Sequence, residues 1–263
     1  MTGIKFLKTE FWVRSIIRIG LGLLLLSPYL IWLIWIPTWS LPEVSAWLSP
    51  LLTSLTQALL SAGLAMIAGF VLFQAAQGWV TGHARGFSEL ALLLPNMVPP
   101  LFLILALLSW VTPWAAFPYG IGAVIAAHVL MNAGLVAVSL DRLVHSKLGG
   151  MTETAGVLGA SKRQFWTQVA WPYLKGDVAC VFLFVFSLCF TSFSIPLILG
   201  GRQAATLEVA IYDTIRIDGR WDLAVVMALC QSLILFLLAM VLPHPFWPNK
   251  QGRRALGFLK IDL

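Results

Sequence analysis

Six stretches of this sequence run for about 20 residues or more with little or no charge, long enough to cross the hydrocarbon core of a bilayer as helices. They are Ile16–Ile36, Leu51–Gln77, Leu90–Trp110, Tyr119–Leu140, Val178–Leu199 and Leu223–Leu242. In lipid a backbone must satisfy its own hydrogen bonds, so such runs predict an all-α integral membrane protein with six transmembrane helices. The charge-free run from Leu90 to Leu140 is divided at Val111–Pro118, where Pro113 and Pro118 bracket a turn. Charged residues make up 11% of the chain and hydrophobic ones 59%, against roughly 25% charged in a soluble domain, so a water-facing surface could not be covered.

The net charge of +6 is distributed as a topology signal rather than as a nucleic-acid patch. With the N-terminus inside, the inner segments hold Lys5, Lys8, Arg14, Arg18, Arg85, Arg142, Lys147, Lys162, Arg163, Lys175, Lys250, Arg253, Arg254 and Lys260. The outer ones hold only Arg202, Arg216 and Arg220. Both termini and the segment 151–172 are therefore expected in the cytoplasm. Residues 1–15 read as an interfacial segment, 16–243 as the membrane domain and 244–263 as a cytoplasmic tail. The first apolar run is too long for a signal peptide and lacks a small-x-small cleavage site, so an uncleaved span is expected. Cys180, Cys189 and Cys230 all fall inside predicted spans, as packing residues.

Between the fourth and fifth spans lies a polar, basic island, Met151–Pro172. Thr152 can cap a short helix from Glu153, Gly159 suits a positive-φ turn, and Ser161 with Gln164 reads as a capping box for a second helix ended by Pro172. The spacing, Glu153-Thr154-Ala155, three residues, Gly159, nine residues, Val169-x-Trp171-Pro172, resembles the loop of the permease subunits of bacterial ABC importers of type I, which reads Glu-Ala-Ala, then Gly, then Ile-x-Leu-Pro. Thr154, Val169 and Trp171 depart from that pattern. The resemblance implies that Glu153, Thr154, Ala155, Gly159, Ser161 and Pro172 dock on a separate ATPase subunit, which would bind ATP and Mg, with no cofactor in this chain. It also implies a second permease subunit, an external solute-binding protein and a place in the bacterial inner membrane. The segments Ser187–Phe193 and Thr206–Tyr212 look like thiamine permeases, of which ferric permeases are close relatives. A thiamine-like cation or ferric iron is the expected solute, with a polyamine or another solute as alternatives. Thiamine permeases usually join two six-helix halves in one chain, and this sequence holds one.

Polar residues inside the apolar runs mark candidate solute contacts. His128 and Asn132 share a face of the fourth span. Ser187, Thr191 and Ser194 make a hydroxyl stripe in the fifth, and Gln231 is the amide of the sixth. For each the alternative is an interhelical hydrogen bond. Pro95, Pro99 and Pro100 in the third span and Pro196 in the fifth are candidate kinks or hinges. Ala58, Ala62, Ala65 and Gly69 form a small-residue stripe for close helix packing. In the outer segment Thr206 can cap a short helix with Leu207, Ala210, Ile211 and Ile215 on its apolar face.

The sequence contains no G-x-x-x-x-G-K-[ST] phosphate loop, no paired carboxylates in a span, and histidines (His83, His128, His145, His244) too dispersed for a metal site. A non-catalytic permease subunit is the leading expectation. An ion-coupled secondary transporter and a membrane scaffold without a solute pathway are the alternatives.

Overall fold

The computed structural model describes residues 44–79, 84–201 and 204–241, with positions 20, 22 and 27 isolated before them. The interfacial segment 1–15, all but those three positions of the first predicted span, and the tail 244–263 lie outside the described residues. Among the described residues all regular structure is helical. The elements are α1 (Val44–Trp79), α2 (Ala84–Met97), α3 (Pro100–Val111), α4 (Ile121–Val157), α5 (Lys162–Gln164), a π-helical segment (Phe165–Ala170), α6 (Trp171–Phe190), α7 (Ser194–Leu199), α8 (Leu207–Arg216) and α9 (Trp221–Val241).

Four stretches are long and apolar enough to cross a membrane: Trp47–Ala76, Ile121–Met151, Phe165–Phe190 and Trp221–Met240. The pair Gly86–Met97 and Pro100–Val111 makes a fifth if counted as one span, although it bends by 91°. Together they form a multi-pass membrane protein. Within an 18-residue window of Ile121–Met151 56% is buried, against 22% in one of Trp221–Met240, so α4 is the central helix and α9 lies at the edge. Leu233, Phe236, Leu237 and Met240 of α9 point outward, as lipid-facing side chains should.

Small residues hold the core together. Ala58, Ala62 and Ala65 of α1 are fully buried in one cluster with Val136, Ala137 and Leu140 of α4 and Val185, Phe186, Cys189 and Phe190 of α6. A Cβ on Gly69 would strike Val136, and one on Gly134 would collide with the backbone carbonyl of Leu92. Because lipid offers no hydrophobic drive between helices, such backbone proximity is what allows α1, α2 and α4 to associate. Near their polar ends, Arg142 of α4 pairs with Glu89 of α2 at 3.1 Å, and Lys147 of α4 with Asp177 of α6 at 2.6 Å.

Several helix boundaries differ from the sequence expectation. The third span is broken at Val98–Pro99, with Pro95 in the last turn of α2 and Pro100 opening α3, where its missing N–H costs nothing. The fifth span is interrupted at Thr191, before Pro196 rather than at it. Pro196 sits buried in the first turn of α7, whose backbone N–H groups need no intrahelical acceptor.

Thr152 does not start a helix, because α4 runs unbroken through it to Val157. Nor does Pro172 end one. The widened π-helical turn just before it, with the Trp171 N–H bonded to the Trp166 carbonyl, takes up the proline, and α6 continues to Phe190. Thr206 occupies the N-cap position of α8 without a side-chain cap. Ser54 of α1 supplies it instead, its hydroxyl accepting from the Leu207 N–H at 2.7 Å. Leu207, Ala210 and Ile211 pack on Leu223 and Met227 of α9, which places the expected apolar face.

Two stability outcomes follow from this packing. Gly134→Val should lower the midpoint of thermal unfolding in detergent by the equivalent of about 1–3 kcal/mol, the usual cost of overpacking, whereas Gly149→Val, where a Cβ meets nothing, should not. Ser54→Ala should cost about 1 kcal/mol, as loss of a helix cap does, although Ser54 is far from α8 in sequence.

Candidate functional site

Two features stand out, a turn at the C-terminal end of α4 and a polar cavity beside its first third. The turn is built by local chemistry. Gly159 adopts φ +69°, its N–H bonds the Gly156 carbonyl at 3.1 Å, and the Ala160 N–H bonds the Ala155 carbonyl at 3.0 Å, a Schellman stop for α4. Two residues on, Ser161 starts the next helix. Its N–H donates to Gln164 Oε1 at 2.9 Å, and the Gln164 N–H donates back to Ser161 Oγ at 3.3 Å, a complete capping box. The chain therefore reverses within a few residues and returns through the π-helical segment.

At 1.5 Å per residue, the 37 residues of α4 extend about 55 Å, well beyond a hydrocarbon core of about 30 Å. The turn is thus carried clear of the bilayer on a helix continuous with the most enclosed span. Glu153 and Thr154 are exposed there, the Thr154 hydroxyl donating to the Gly150 carbonyl at 2.9 Å. Ala155 is half-buried and packs under the turn beside Leu148, Phe165, Ala170 and Leu174. The outermost apolar side chains are Val157, 88% exposed, and Leu158, 79% exposed. Sequence reasoning passed over these two because exposed apolar residues cannot be told from buried ones without the fold.

The cavity lies where the two broken spans meet. Asn96 and Pro100 flank the α2–α3 break, Thr191, Ser192, Phe193 and Ser194 form the α6–α7 break, and His128, Met131 and Asn132 of α4 close the space, which measures about 320 Å³. A helix break frees backbone groups and admits side chains that an intact helix would crowd out, which is tolerated at membrane depth only inside protein or beside water.

His128 and Asn132 are almost wholly buried. Asn132 Nδ2 donates to the His128 carbonyl at 2.9 Å, and Asn132 Oδ1 accepts from Asn96 Nδ2 at 3.1 Å, linking α4 to α2. Behind His128 stand Gln57 and Ser61 of α1, with His128 Nδ1 3.1 Å from Gln57 Oε1 and 3.4 Å from Ser61 Oγ. Gln57 Nε2 donates to the Cys189 carbonyl at 2.8 Å, tying α1 to the end of α6.

Thus His128, Asn132, Thr191 and Ser194 gather at one cavity. Ser187 and Gln231 do not line it. The Ser187 hydroxyl donates to the Leu183 carbonyl at 2.8 Å, and the interruption at Thr191 breaks the stripe that a continuous helix would have made. Gln231 Nε2 donates to Glu208 Oε1 at 2.8 Å and joins α9 to α8. Burial raises the Glu208 carboxyl above its ordinary range, and the donated hydrogen bond opposes that shift. Gln57, Ser61 and Asn96 complete the cluster. For Gln57 and Ser61 the signal in the sequence was the spacing Ser54, Gln57, Ser61, a polar stripe along an otherwise apolar helix, lying next to the alanine stripe.

No protein-family model matches the chain. Over 129 residues, 49% of the chain, it is 33% identical to the thiamine transport system permease protein ThiP of Escherichia coli, covering 24% of that protein. It is 30% identical over the same length to a putative ferric transport system permease protein, FbpB 1, of Haemophilus influenzae, covering 20% of it. The chain thus spans about a quarter or less of the length of the curated relatives it matches.

Its fold matches a chain of a bacterial ABC transporter involved in the import of the acidic polysaccharide alginate, with a TM-score of 0.68 and 14% identity over 91% of this chain and 96% of that one. The alginate transporter in complex with its pentasaccharide-bound periplasmic protein gives a TM-score of 0.58 over 92% of both. In sequence the chain is similar to permeases of thiamine and ferric transport systems, and in fold to a chain of an ABC importer, as the loop at Glu153–Pro172 implied.

Proposed function

We propose that the chain is a non-catalytic permease subunit of a binding-protein-dependent ABC importer in a bacterial inner membrane. It has six spans, and both termini and the Gly159 turn lie in the cytoplasm. The observation that carries this reading is the turn itself, an exposed Glu153, Val157 and Leu158 at the tip of a helix continuous with the central span. A partner pressing on that tip moves α4 as a rod, because the turn is closed at both ends by its own hydrogen bonds and backed by the cluster around Leu148 and Phe165.

ATP and Mg belong to the partner ATPase subunits. A second permease, the same chain or another, completes the pathway, and an external binding protein delivers the solute, a reading supported by the alginate transporter's complex with a pentasaccharide-bound periplasmic protein. Closure of the ATPases brings two Gly159 turns together. The movement passes along α4 to the helix breaks at Pro99 and Thr191, where Asn96, His128, Asn132, Thr191 and Ser194 line the way through. A thiamine-like cation is the favoured solute and ferric iron the alternative, both taken from the named relatives.

Co-purification tests the docking assignment. Glu153→Arg and Gly159→Val should leave the subunit inserted at its normal level but reduce the ATPase recovered with it roughly fivefold or more, the effect of losing about 1–3 kcal/mol of contact energy. Gly159→Val acts through its positive φ, which a β-branched residue does not tolerate. Undiminished recovery with both variants would remove the docking role. In proteoliposomes holding the full assembly, uptake of thiamine should require ATP and persist when a proton uncoupler is added. Uptake that survives ATP depletion and collapses with the uncoupler would favour an ion-coupled transporter instead.

A further inference from the structure

Resting on that permease reading, we propose that His128 presents a fixed hydrogen-bond acceptor to the solute, and that Gln57 behind it sets that polarity. The cavity at the two helix breaks then receives an uncharged proton-donating group, an amino or a hydroxyl, and not a bare metal ion.

The argument begins at the end of α6. The Cys189 carbonyl accepts from Gln57 Nε2 at 2.8 Å, and this fixes which way the Gln57 amide points. Its oxygen therefore faces His128 Nδ1 at 3.1 Å. An amide oxygen has no proton to give, so the contact is a hydrogen bond only if Nδ1 carries one. In the neutral ring Nε2 is then a bare lone pair. It is buried, His128 is 2% exposed, and Nε2 has no hydrogen-bond partner, while the residue lines the cavity. A buried acceptor without a donor costs free energy that a solute donor would recover.

A second acceptor lines the same space. The Thr191 hydroxyl spends its proton on the Ser187 carbonyl at 2.9 Å, so toward the cavity its oxygen can only accept. The lining residues include no Asp, Glu, Lys or Arg. Among the described residues no group of three or more His, Cys, Asp or Glu is arranged to hold a metal ion. A ferric ion stripped of its ligands would find no countercharge here, and burying such a charge unpaired is prohibitive. A delocalised organic cation is a different case. Phe193 lines the cavity with its ring centroid 5.3 Å from that of Tyr212, and aromatic faces accept such cations while the acceptors take their amino or hydroxyl groups.

The test uses the complete importer in nanodiscs, with the permease labelled with nitrogen-15 at histidine and the His128 resonances identified by their loss in His128→Gln. The wild type should show a protonated Nδ1 and a bare Nε2. Gln57→Met, which keeps the volume and removes the amide, should shift His128 to the Nε2-protonated form and lower kcat/KM for thiamine uptake by roughly tenfold. Added thiamine should move the Nε2 resonance of the wild type.

A wild-type His128 already protonated at Nε2 would overturn the proposal. So would an Nε2 resonance that thiamine leaves in place while the same assembly transports thiamine. Broadening of the His128 resonance by ferric citrate would overturn the exclusion of the metal ion. Absence of thiamine uptake by the wild type would count against the solute favoured above, and the tautomer and its dependence on Gln57 would still decide the role of Gln57.

Discussion

The structure depends on how closely α1 and α4 approach. Ala58, Ala62, Ala65 and Gly69 remove side-chain bulk from α1, which meets α4 so closely that a Cβ on Gly69 would strike Val136 and the Ala133 carbonyl of α4. In a bilayer this proximity must supply most of the association energy, because an apolar side chain gains little by leaving lipid for protein. The same approach lets Gln57 and Ser61, on the neighbouring stripe of α1, reach His128. Packing and polarity therefore come from one interface, and larger residues in the alanine stripe would separate both at once.

From that interface α4 extends in both senses that matter. Its first third carries His128 and Asn132 at the cavity, and its far end leads into the Gly159 turn. The salt bridge from Lys147 to Asp177 and the cluster of Leu148, Phe165, Ala170 and Leu174 bind the returning segment to α4, so the turn cannot swing freely against the span. The two broken spans stand in contrast. Around Pro99 and Thr191 the backbone lacks a continuous helical ladder, and this is where a rigid-body shift of α4 finds the least resistance.

What the sequence made legible was mostly local chemistry. The positive φ at Gly159 and the pairing of Ser161 with Gln164 follow from residues within a few positions of one another, and both are present. The alanine stripe was readable from periodicity alone. The misses share a physical cause, that a distant residue changed the local outcome. Thr206 should have capped α8 by its own propensity, but Ser54, 153 positions away from Leu207, takes that place. Pro172 should have ended a helix, yet the π-helical turn before it absorbs the missing donor. Ser187 and Thr191 looked like one stripe because a helix break at Thr191 is invisible to spacing. Gln57 escaped notice because its polar stripe, Ser54, Gln57 and Ser61, acquires meaning only when its partners on other helices are known.

The central claim is that an event at the Gly159 turn is felt at the helix breaks through α4. It is tested most directly by placing a single cysteine at Thr191 in a chain with Cys180, Cys189 and Cys230 replaced, and measuring its alkylation by a membrane-impermeant maleimide added from the outer side. The rate should rise severalfold when the ATPases are trapped with ATP and return to its basal value when the Gly159 turn can no longer engage them. A rate that is the same in trapped and resting assemblies would contradict the account.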